Sequence, residues 1–459
     1  VNLNVIMSTL GDIFIPYTNK LQSGVQAALK AGSENPQRIP ASTHAIRMDD
    51  ICSRAETVIR KLQQAGFEAY LVGGCVRDLL LGLTPKDFDI ATSAHPEQVR
   101  KLFSNARLIG RRFRLAHIYF GRDYIEVATF RAPHEAGQQG GTVNEQGRII
   151  HDNVYGFLEE DVWRRDFTIN ALFYDPVSGD VIDYVGGMQD LHNKCIRLIG
   201  EPEQRYREDP VRMLRALRFA AKLDTELQGP TRDLICELGH LLEDVAPARL
   251  FDELLKMLHS GKGWQTLLLL ENYELLEWLL PLTHESLQED PDGTFRPLLQ
   301  AALENTDRRI AEGKSVMPAF LFAVLLWEQV TDLSAEARAE GHPEVQSLHL
   351  AASDILREQV NSTAIPRRFS NITREIWALQ PRFRQRDQRR VSALFNNQRF
   401  RAAYDFLCLR ASAGEEVGED CAWWTAYNEA SPEERQSMCK PNRKKRRKKR
   451  SKAPGTDAV

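Results

Sequence analysis

After Asp190 the chain stops mixing two periodicities and becomes helical. Val211 to Leu223, Arg249 to Leu258 and Trp264 to Leu280 all repeat apolar residues at i, i+3 and i+4. Before that point, helical and strand-like segments alternate. Ile51, Ala55, Val58, Ile59 and Leu62 predict a helix over Met48 to Ala65, closed by Gly66. A strand from Glu68 to Val72 runs into Gly73-Gly74 and a further helical stretch, a second strand begins at Phe88, and β-like runs follow at Leu108 to Gly110, Ala116 to Phe120 and Tyr124 to Phe130. An α+β fold is expected: a head with a small mixed β-sheet and helices over 46–190, a helical neck over 191–255, and a helical C-terminal region over 256–440. Residues 1–45 are polar and aperiodic, so they read as a flexible extension, and Asp290 to Thr294 (DPDGT) as a loop.

With 459 residues, two or three packed domains are affordable. The longest apolar run, Val316 to Trp327, is short of the roughly 20 residues of a membrane-spanning helix. The start has no basic region and carries Asp12, so no secretory signal is expected, and a first residue of valine points to a true start elsewhere, at Met7 for example. The cysteines at 52, 75, 195, 236, 408, 421 and 439 form no C-x-x-C pair, so neither a disulfide framework nor a zinc site is expected, and a cytoplasmic location fits. The formal charge of −3 hides an asymmetry: between 440 and 459, ten Lys and Arg face one Asp. An acidic body therefore carries a basic tail at 441–459. Its core, Arg443 to Arg450, has nothing apolar to bury and is expected to stay disordered until it meets a polyanion; a solubilising tail is the alternative.

Four segments could carry chemistry. In Leu71-Val72-Gly73-Gly74-Cys75-Val76-Arg77-Asp78, glycines at a strand-to-helix turn let backbone N–H groups approach a phosphate, and Arg77 can fork onto its oxygens. A tight turn without a ligand explains Gly-Gly equally well, and the third glycine of a dinucleotide fingerprint is missing. In Lys86-Asp87-Phe88-Asp89-Ile90, alternation along a strand puts both carboxylates on one face while Phe88 and Ile90 turn to a core. Such a pair repels itself unless a cation lies between, and hard oxygen ligands suit Mg²⁺. Glu126, in the apolar run Tyr124 to Phe130, is a candidate third carboxylate, with Arg131 a phosphate ligand or its salt-bridge partner.

Further on, Arg164-Arg165-Asp166-Phe167-Thr168-Ile169-Asn170 packs charge against an apolar run. The arginines can neutralise a triphosphate and Asp166 and Asn170 can bond ribose hydroxyls, although Asp166 could be only a helix cap. In Glu208-Asp209-Pro210-Val211-Arg212-Met213-Leu214-Arg215, a helix capped by Asp209 puts Asp209, Arg212 and Arg215 on one side, able to read a nucleobase edge or to form a plain surface ion-pair row.

Together and in this order, the four segments resemble the class II nucleotidyltransferase family of bacterial poly(A) polymerases and tRNA CCA-adding enzymes. The match runs from about Gly66 to Leu223, with weaker similarity to about Arg410. The resemblance implies a polymerase-beta-like head in which Gly74 and Arg77 meet phosphate, beside the Gly73 of the same turn, and Asp87 and Asp89 bind two Mg²⁺ (or Mn²⁺) ions. It also implies that Arg165 binds the nucleotide, that Asp209 and Arg212 face its base, and that Arg215 lies nearby; Arg131 and Asn170 join the expected ATP-binding set from the reading of their own segments. Asp166 and Glu126 remain alternative catalytic carboxylates. The implied reaction is in-line attack of an RNA 3′-hydroxyl on the ATP α-phosphate with loss of pyrophosphate.

Within the family, Leu108-Ile109-Gly110-Arg111-Arg112-Phe113-Arg114-Leu115-Ala116-His117 is similar to the stretch that marks the poly(A) polymerases, and no HD-type phosphohydrolase motif is visible. His117 itself has no assigned role. Between Ile365 and Arg401, ten Arg face only Glu375 and Asp387, with Phe369, Trp377, Phe383, Phe395 and Phe400 interleaved. This region suits a sequence-blind RNA surface with stacking aromatics, using Arg367, Arg368, Arg382, Arg384, Arg389 and Arg390, and in the tail Arg443, Lys444, Lys445, Arg446 and Arg447. Expected partners are RNA 3′ ends (mRNA, regulatory RNA, decay intermediates) and ATP, with an RNA chaperone or RNA-degradation machinery as possible recruiters. A CCA-adding enzyme and a catalytically inactive RNA-binding protein are the competing readings.

Overall fold

The computed structural model describes residues 36–110, 114–132, 141–143, 149–152, 154–290 and 293–439. The extension up to residue 35, Arg111 to Phe113 and the basic tail, including Arg443, Lys444, Lys445, Arg446 and Arg447, lie outside the described residues. The chain divides into two compact units, one ending at Val245 and the next beginning at Ala246, so the expected 191–255 neck falls across that division.

The first unit is α+β. Its sheet runs in the order β1 (Gln37–Ile39), β10 (Val181–Asp183), β9 (Phe173–Tyr174), β2 (Ala69–Val72), β3 (Asp89–Thr92), β6 (Asp123–Thr129), β5 (Leu115–Phe120), β4 (Ala106–Ile109). β7 (Gly141–Val143) and β8 (Ile149–Asp152) form a separate antiparallel pair. β2 is antiparallel to both neighbours, whereas β3 and β6 run parallel, which makes the sheet mixed. Residues 37–39, read as flexible, are instead the edge strand: Ile39 buries its side chain and the backbone pairs with Val181 to Asp183. The first helix, α1 (Ser53–Gln64), starts later than expected because Met48–Asp50 forms its own 3₁₀ turn. Its Ala55, Val58, Ile59 and Leu62 are fully buried, as helical spacing requires.

Further helices of this unit include α2 (Gly74–Leu80), α3 (Pro96–Leu102), α4 (Leu158–Trp163), α5 (Gly187–His192), α6 (Pro202–Glu208) and α7 (Val211–Leu223). Asp183, at the end of β10, fixes the start of α5: its carboxylate accepts the backbone N–H groups of Val185, Gly186, Gly187 and Met188 at 2.9–3.0 Å, donors that would otherwise be orphaned at a helix N-terminus. Gly187 then lies so close to the 3₁₀ turn Thr168–Asn170 that a Cβ there would stand 2.3 Å from the Thr168 carbonyl oxygen. The Thr168 hydroxyl donates to Asp190 at 2.5 Å and Arg197 donates to the same carboxylate at 2.8 Å. These contacts clamp the turn that carries Asn170 into the site.

The second unit is helical throughout its described residues. Trp377 and Trp424 are fully buried, with indole N–H groups donating to the carbonyls of Ala323 and Phe383 at 2.8 and 2.9 Å. The aromatic residues expected to stack on RNA are therefore largely structural. Trp377, Phe383 and Phe400 are core, while Phe369 and Phe395 pack against Phe251 and against Phe400 and Tyr427. The cationic half of that reading differs, since Arg367, Arg368, Arg382, Arg384, Arg389 and Arg390 are all exposed. A disulfide joins Cys408 to Cys421, across the hairpin of helices Phe400–Ser412 and Gly418–Glu429. This single bridge departs from the expectation of no disulfide framework, because the hairpin brings together two cysteines whose spacing forms no recognisable motif. No helix among the described residues is long and apolar enough to cross a membrane.

Candidate active site

The strand-to-helix turn after β2 needs its first glycine. Gly73 has φ 77°, a conformation costly for any residue with a Cβ, and its open side faces Nη1 of Arg165, 3.8 Å from where a Cβ would stand. Asp87 precedes β3 and Asp89 opens it, so the Asp-x-Asp pair straddles the strand start, and both residues are exposed. The parallel pairing of β3 with β6 sets Asp89 directly beside Glu126. Burial against its neighbours, then the charges of Glu126 and Asp87, push the Asp89 carboxyl up to about 6, while Arg165 pulls it partly back. Asp87, Asp89 and Glu126 thus share one patch of negative potential. Among the described residues no three metal-binding side chains already close on a common point. Crowded carboxylates without a cation have no reason to do so, and Mg²⁺ ordinarily takes one or two of them plus substrate phosphates. The donor set fits a hard divalent ion.

Asp166 is in a different place. It accepts from Arg215 (Nε at 2.8 Å, with Nη2 also bonded), from the Phe167 N–H at 2.8 Å and from Asn170 at 3.3 Å. Burial opposes its charge, but the Arg215 guanidinium and these hydrogen bonds bring the carboxyl down to about 2. Because the folded value lies below the ordinary one, the pair stabilises the fold above about pH 4 and that contribution disappears as pH falls through about 2, a change of about 2 kcal/mol. Urea unfolding of wild type and Asp166→Asn from pH 5 to pH 2 checks this: the stability gap should close toward the acid end, and a constant gap would refute it.

Two other expected ligands also turn inward. Arg77 is 3 % exposed; it donates to Asp78 at 2.6 and 2.9 Å and to Asn170 Oδ1 at 2.6 Å, and lies 5.1 Å over the Phe219 ring. Lys222 stands 3.6 Å from the other oxygen of Asp78. Asn170 thus accepts from Arg77 and donates to Asp166. The sequence Asp78, Arg77, Asn170, Asp166, Arg215 is one hydrogen-bonded chain that ties the first, third and fourth motifs together. Arg77, Asn170 and Arg215, expected on the nucleotide, have these side-chain groups bonded within the protein, Arg77 to Asn170 across 93 positions and Arg215 to Asp166 across 49.

A cluster of other arginines gathers around Asp161 and Glu208. Asp161, on α4, accepts from Arg165 at 2.7 and 3.1 Å and from the Arg131 N–H at 3.3 Å, and lies 4.0 Å from Arg164. Arg131 is buried, and burial lowers its pKa first of all. Burial, followed by Arg131, Arg165, Arg205 and Arg212, brings the Arg164 guanidinium down to about 9. Burial and Arg212 likewise bring Arg205 down to about 10. Guanidinium groups that depress one another form a site that a polyanion would relieve. On α6, Glu208 accepts from Gln204, Arg205 and Arg212 at 3.1, 2.6 and 2.9 Å. Burial raises its pKa, but the two arginines outweigh that and lower it. Asp209 accepts from the Val211 N–H at 3.3 Å, at the start of α7. Asp161, Arg205 and Glu208 were not singled out from sequence. The i,i+4 spacing of Asp161 to Arg165 and of Glu208 to Arg212 was the available signal.

Three family models match: "Poly A polymerase head domain" over residues 69–197, "Probable RNA and SrmB- binding site of polymerase A" over 226–287, and "Polymerase A arginine-rich C-terminus" over 340–455. Poly(A) polymerase I of Salmonella typhimurium is 47% identical over 406 residues, covering 87% of each chain. That of Haemophilus influenzae is 44% identical over 408 residues, covering 87% of this chain and 90% of the other. A CCA-adding enzyme of Lactobacillus helveticus is 38% identical over 262 residues, covering 56% of this chain and 63% of its own. Among solved structures, the Thermotoga maritima CCA-adding enzyme complexed with tRNA superposes with a TM-score of 0.55 at 19% identity, covering 85% of each chain, a likeness of fold.

Proposed function

Because this chain belongs to the family of bacterial poly(A) polymerases, we infer that it is a template-independent polynucleotide adenylyltransferase, adding AMP from ATP to RNA 3′ ends. A CCA-adding enzyme of similar fold has been solved with ATP, and we propose that this chain uses ATP with divalent metal ions. The observation in the molecule that carries the reading is the pairing of Asp89 with Glu126 within electrostatic reach of Arg165 and Arg131, since phosphoryl chemistry needs a hard-cation site next to a polyanion site.

We assign Asp87 and Asp89 as the ligands of two Mg²⁺ ions, with Glu126 rather than Asp166 as the third carboxylate. Bound ions there supply Lewis-acid stabilisation of charge on the reacting phosphate. Arg165, Arg164 and Arg131 take the triphosphate. Gly73 and Gly74 let the backbone approach it. Asp209 and Arg212 face the adenine edge, and Glu208 holds Arg212 in orientation. The acceptor 3′-oxygen forms a bond to the α-phosphorus in line with the bond that breaks to release pyrophosphate, and the hydroxyl proton passes to solvent. No covalent enzyme intermediate is needed. The exposed arginines between 367 and 390, with the tail at 443–447, hold arbitrary RNA through phosphate contacts, in the cytoplasm, with turnover of the tailed RNA as the outcome and an RNA chaperone or decay machinery as the recruiter.

Primer extension on an unstructured RNA with each NTP separately, beside Asp87→Ala, tests the reading. A long ladder with ATP alone, absent in the variant, is the expected result. Addition of a few nucleotides with CTP required, on a tRNA lacking its end, would move the chain to the CCA-adding class. No incorporation with any NTP would leave an RNA-binding protein.

A further inference from the structure

The outer face of β4, β5 and β6 carries side chains that the core does not use. Along these strands Ala106, Ala116, Ile118, Ile125 and Val127 are buried, and the alternate positions Arg107, His117, Tyr119, Tyr124 and Glu126 share the opposite face. Register sets Arg107 beside His117, His117 beside Glu126, and Glu126 beside Asp89, one row across four strands that ends in the candidate metal carboxylates. In the adjacent row Tyr119 pairs with Tyr124. The His117 ring stacks on Tyr124 at 4.2 Å and 7°, with its Nε2 3.2 Å from Glu126. Tyr119 lies 5.8 Å from Tyr124, and Arg107 stands 5.1 Å over the Tyr119 ring. Tyr124 remains 50% exposed and Arg107 is exposed.

We propose that this face is the seat of the RNA acceptor's last nucleotides: the base next to the 3′ end stacks on Tyr124, Arg107 meets its phosphate, and the 3′-hydroxyl is delivered along the row to Asp89 and Glu126. The proposal rests on the adenylyltransferase reading and names the acceptor subsite that reading requires. Rings and a guanidinium on an open sheet face make the combination that holds single strands without reading sequence, because every base has a π-face. Continuity with the carboxylates selects the 3′ end over any other part of the strand. His117 orients both Tyr124, by stacking, and Glu126, by its hydrogen bond, and is a positioning residue.

The test uses the full chain with an RNA carrying 2-aminopurine at its penultimate position. Binding should quench the probe in wild type and in Tyr124→Phe, and the quench should be lost in Tyr124→Ala. The RNA KM of Tyr124→Ala should rise roughly 5- to 150-fold, the loss of stacking on one base, while its ATP KM stays within about twofold of wild type. Absence of quenching in wild type overturns the proposal, as does an unchanged RNA KM in Tyr124→Ala when wild type makes tails normally. A wild type that makes no tail with any NTP overturns the reading beneath it as well.

Discussion

Asp89→Asn should slow AMP incorporation by about 10³-fold or more and at the same time make the chain slightly harder to unfold at neutral pH. Both effects have one origin. Asp89 is held beside Glu126 by the β3–β6 register and near Asp87 by the chain itself, and its carboxyl is pushed up to about 6. A carboxyl whose folded pKa is raised is charged against its surroundings above about pH 6. Protonation relieves that charge as pH falls, and the handicap is gone below about 4, where the unfolded chain is protonated too. Asparagine removes the repulsion without changing shape. Since Asp89 is exposed and solvent screens the effect, the gain should be no more than about 1 kcal/mol. The gain should appear in melts at pH 7.5 and vanish near pH 4. Arrangements that destabilise the apoprotein and are relieved by a ligand are typical of sites kept for function. An Asp89→Asn variant that retained a tenth of wild-type activity, or that lost stability at pH 7.5, would remove Asp89 from the metal site.

The parts of this site that were legible in sequence are those set by local geometry. Asp87 and Asp89 stay close because they are two positions apart at the start of β3, although only Asp89 belongs to the strand, and Asp209 and Arg212 flank a helix start marked by Pro210. What was illegible depends on pairing at a distance. Glu126 and Asp166 looked equivalent until β6 was laid parallel to β3, which put Glu126 on the carboxylate patch, and until Arg215 crossed 49 positions of sequence to neutralise Asp166. The Arg77 motif shows which turn it follows, but not that its guanidinium would bond Asp78 and Asn170. The same limit applied in the second unit. Trp377 and Phe383 interleave with arginines in sequence, yet on folded helices the aromatic residues face inward and the arginines outward. Residues 37–39 carried no period because an edge strand of three residues is too short to show one.

Arg77→Ala is expected to cost about 3–5 kcal/mol of stability, the usual result of removing one member of a buried ion pair. The guanidinium is 3% exposed and makes three hydrogen bonds, two to Asp78 and one to Asn170. Its loss strands the Asp78 carboxylate, which keeps Lys222 at 3.6 Å among the described residues, and frees the amide that orients Asp166. A lysine cannot replace the fork, since one ammonium cannot bond both Asp78 and Asn170 in that geometry, so Arg77→Lys should recover less than half of the loss. Arg77→Met combined with Asp78→Leu should recover more than Arg77→Met alone, because the double replacement leaves no uncompensated charge. Urea unfolding of the four variants measures this directly. Steady-state kinetics on the folded fraction separates the two roles considered for Arg77. A phosphate ligand would raise the ATP KM with stability intact, whereas a strut lowers stability and leaves the ATP KM of Arg77→Lys close to wild type. The first pattern would return Arg77 to the nucleotide; the second fixes it as the residue through which the glycine turn, the Asn170 turn and α7 hold one another in place.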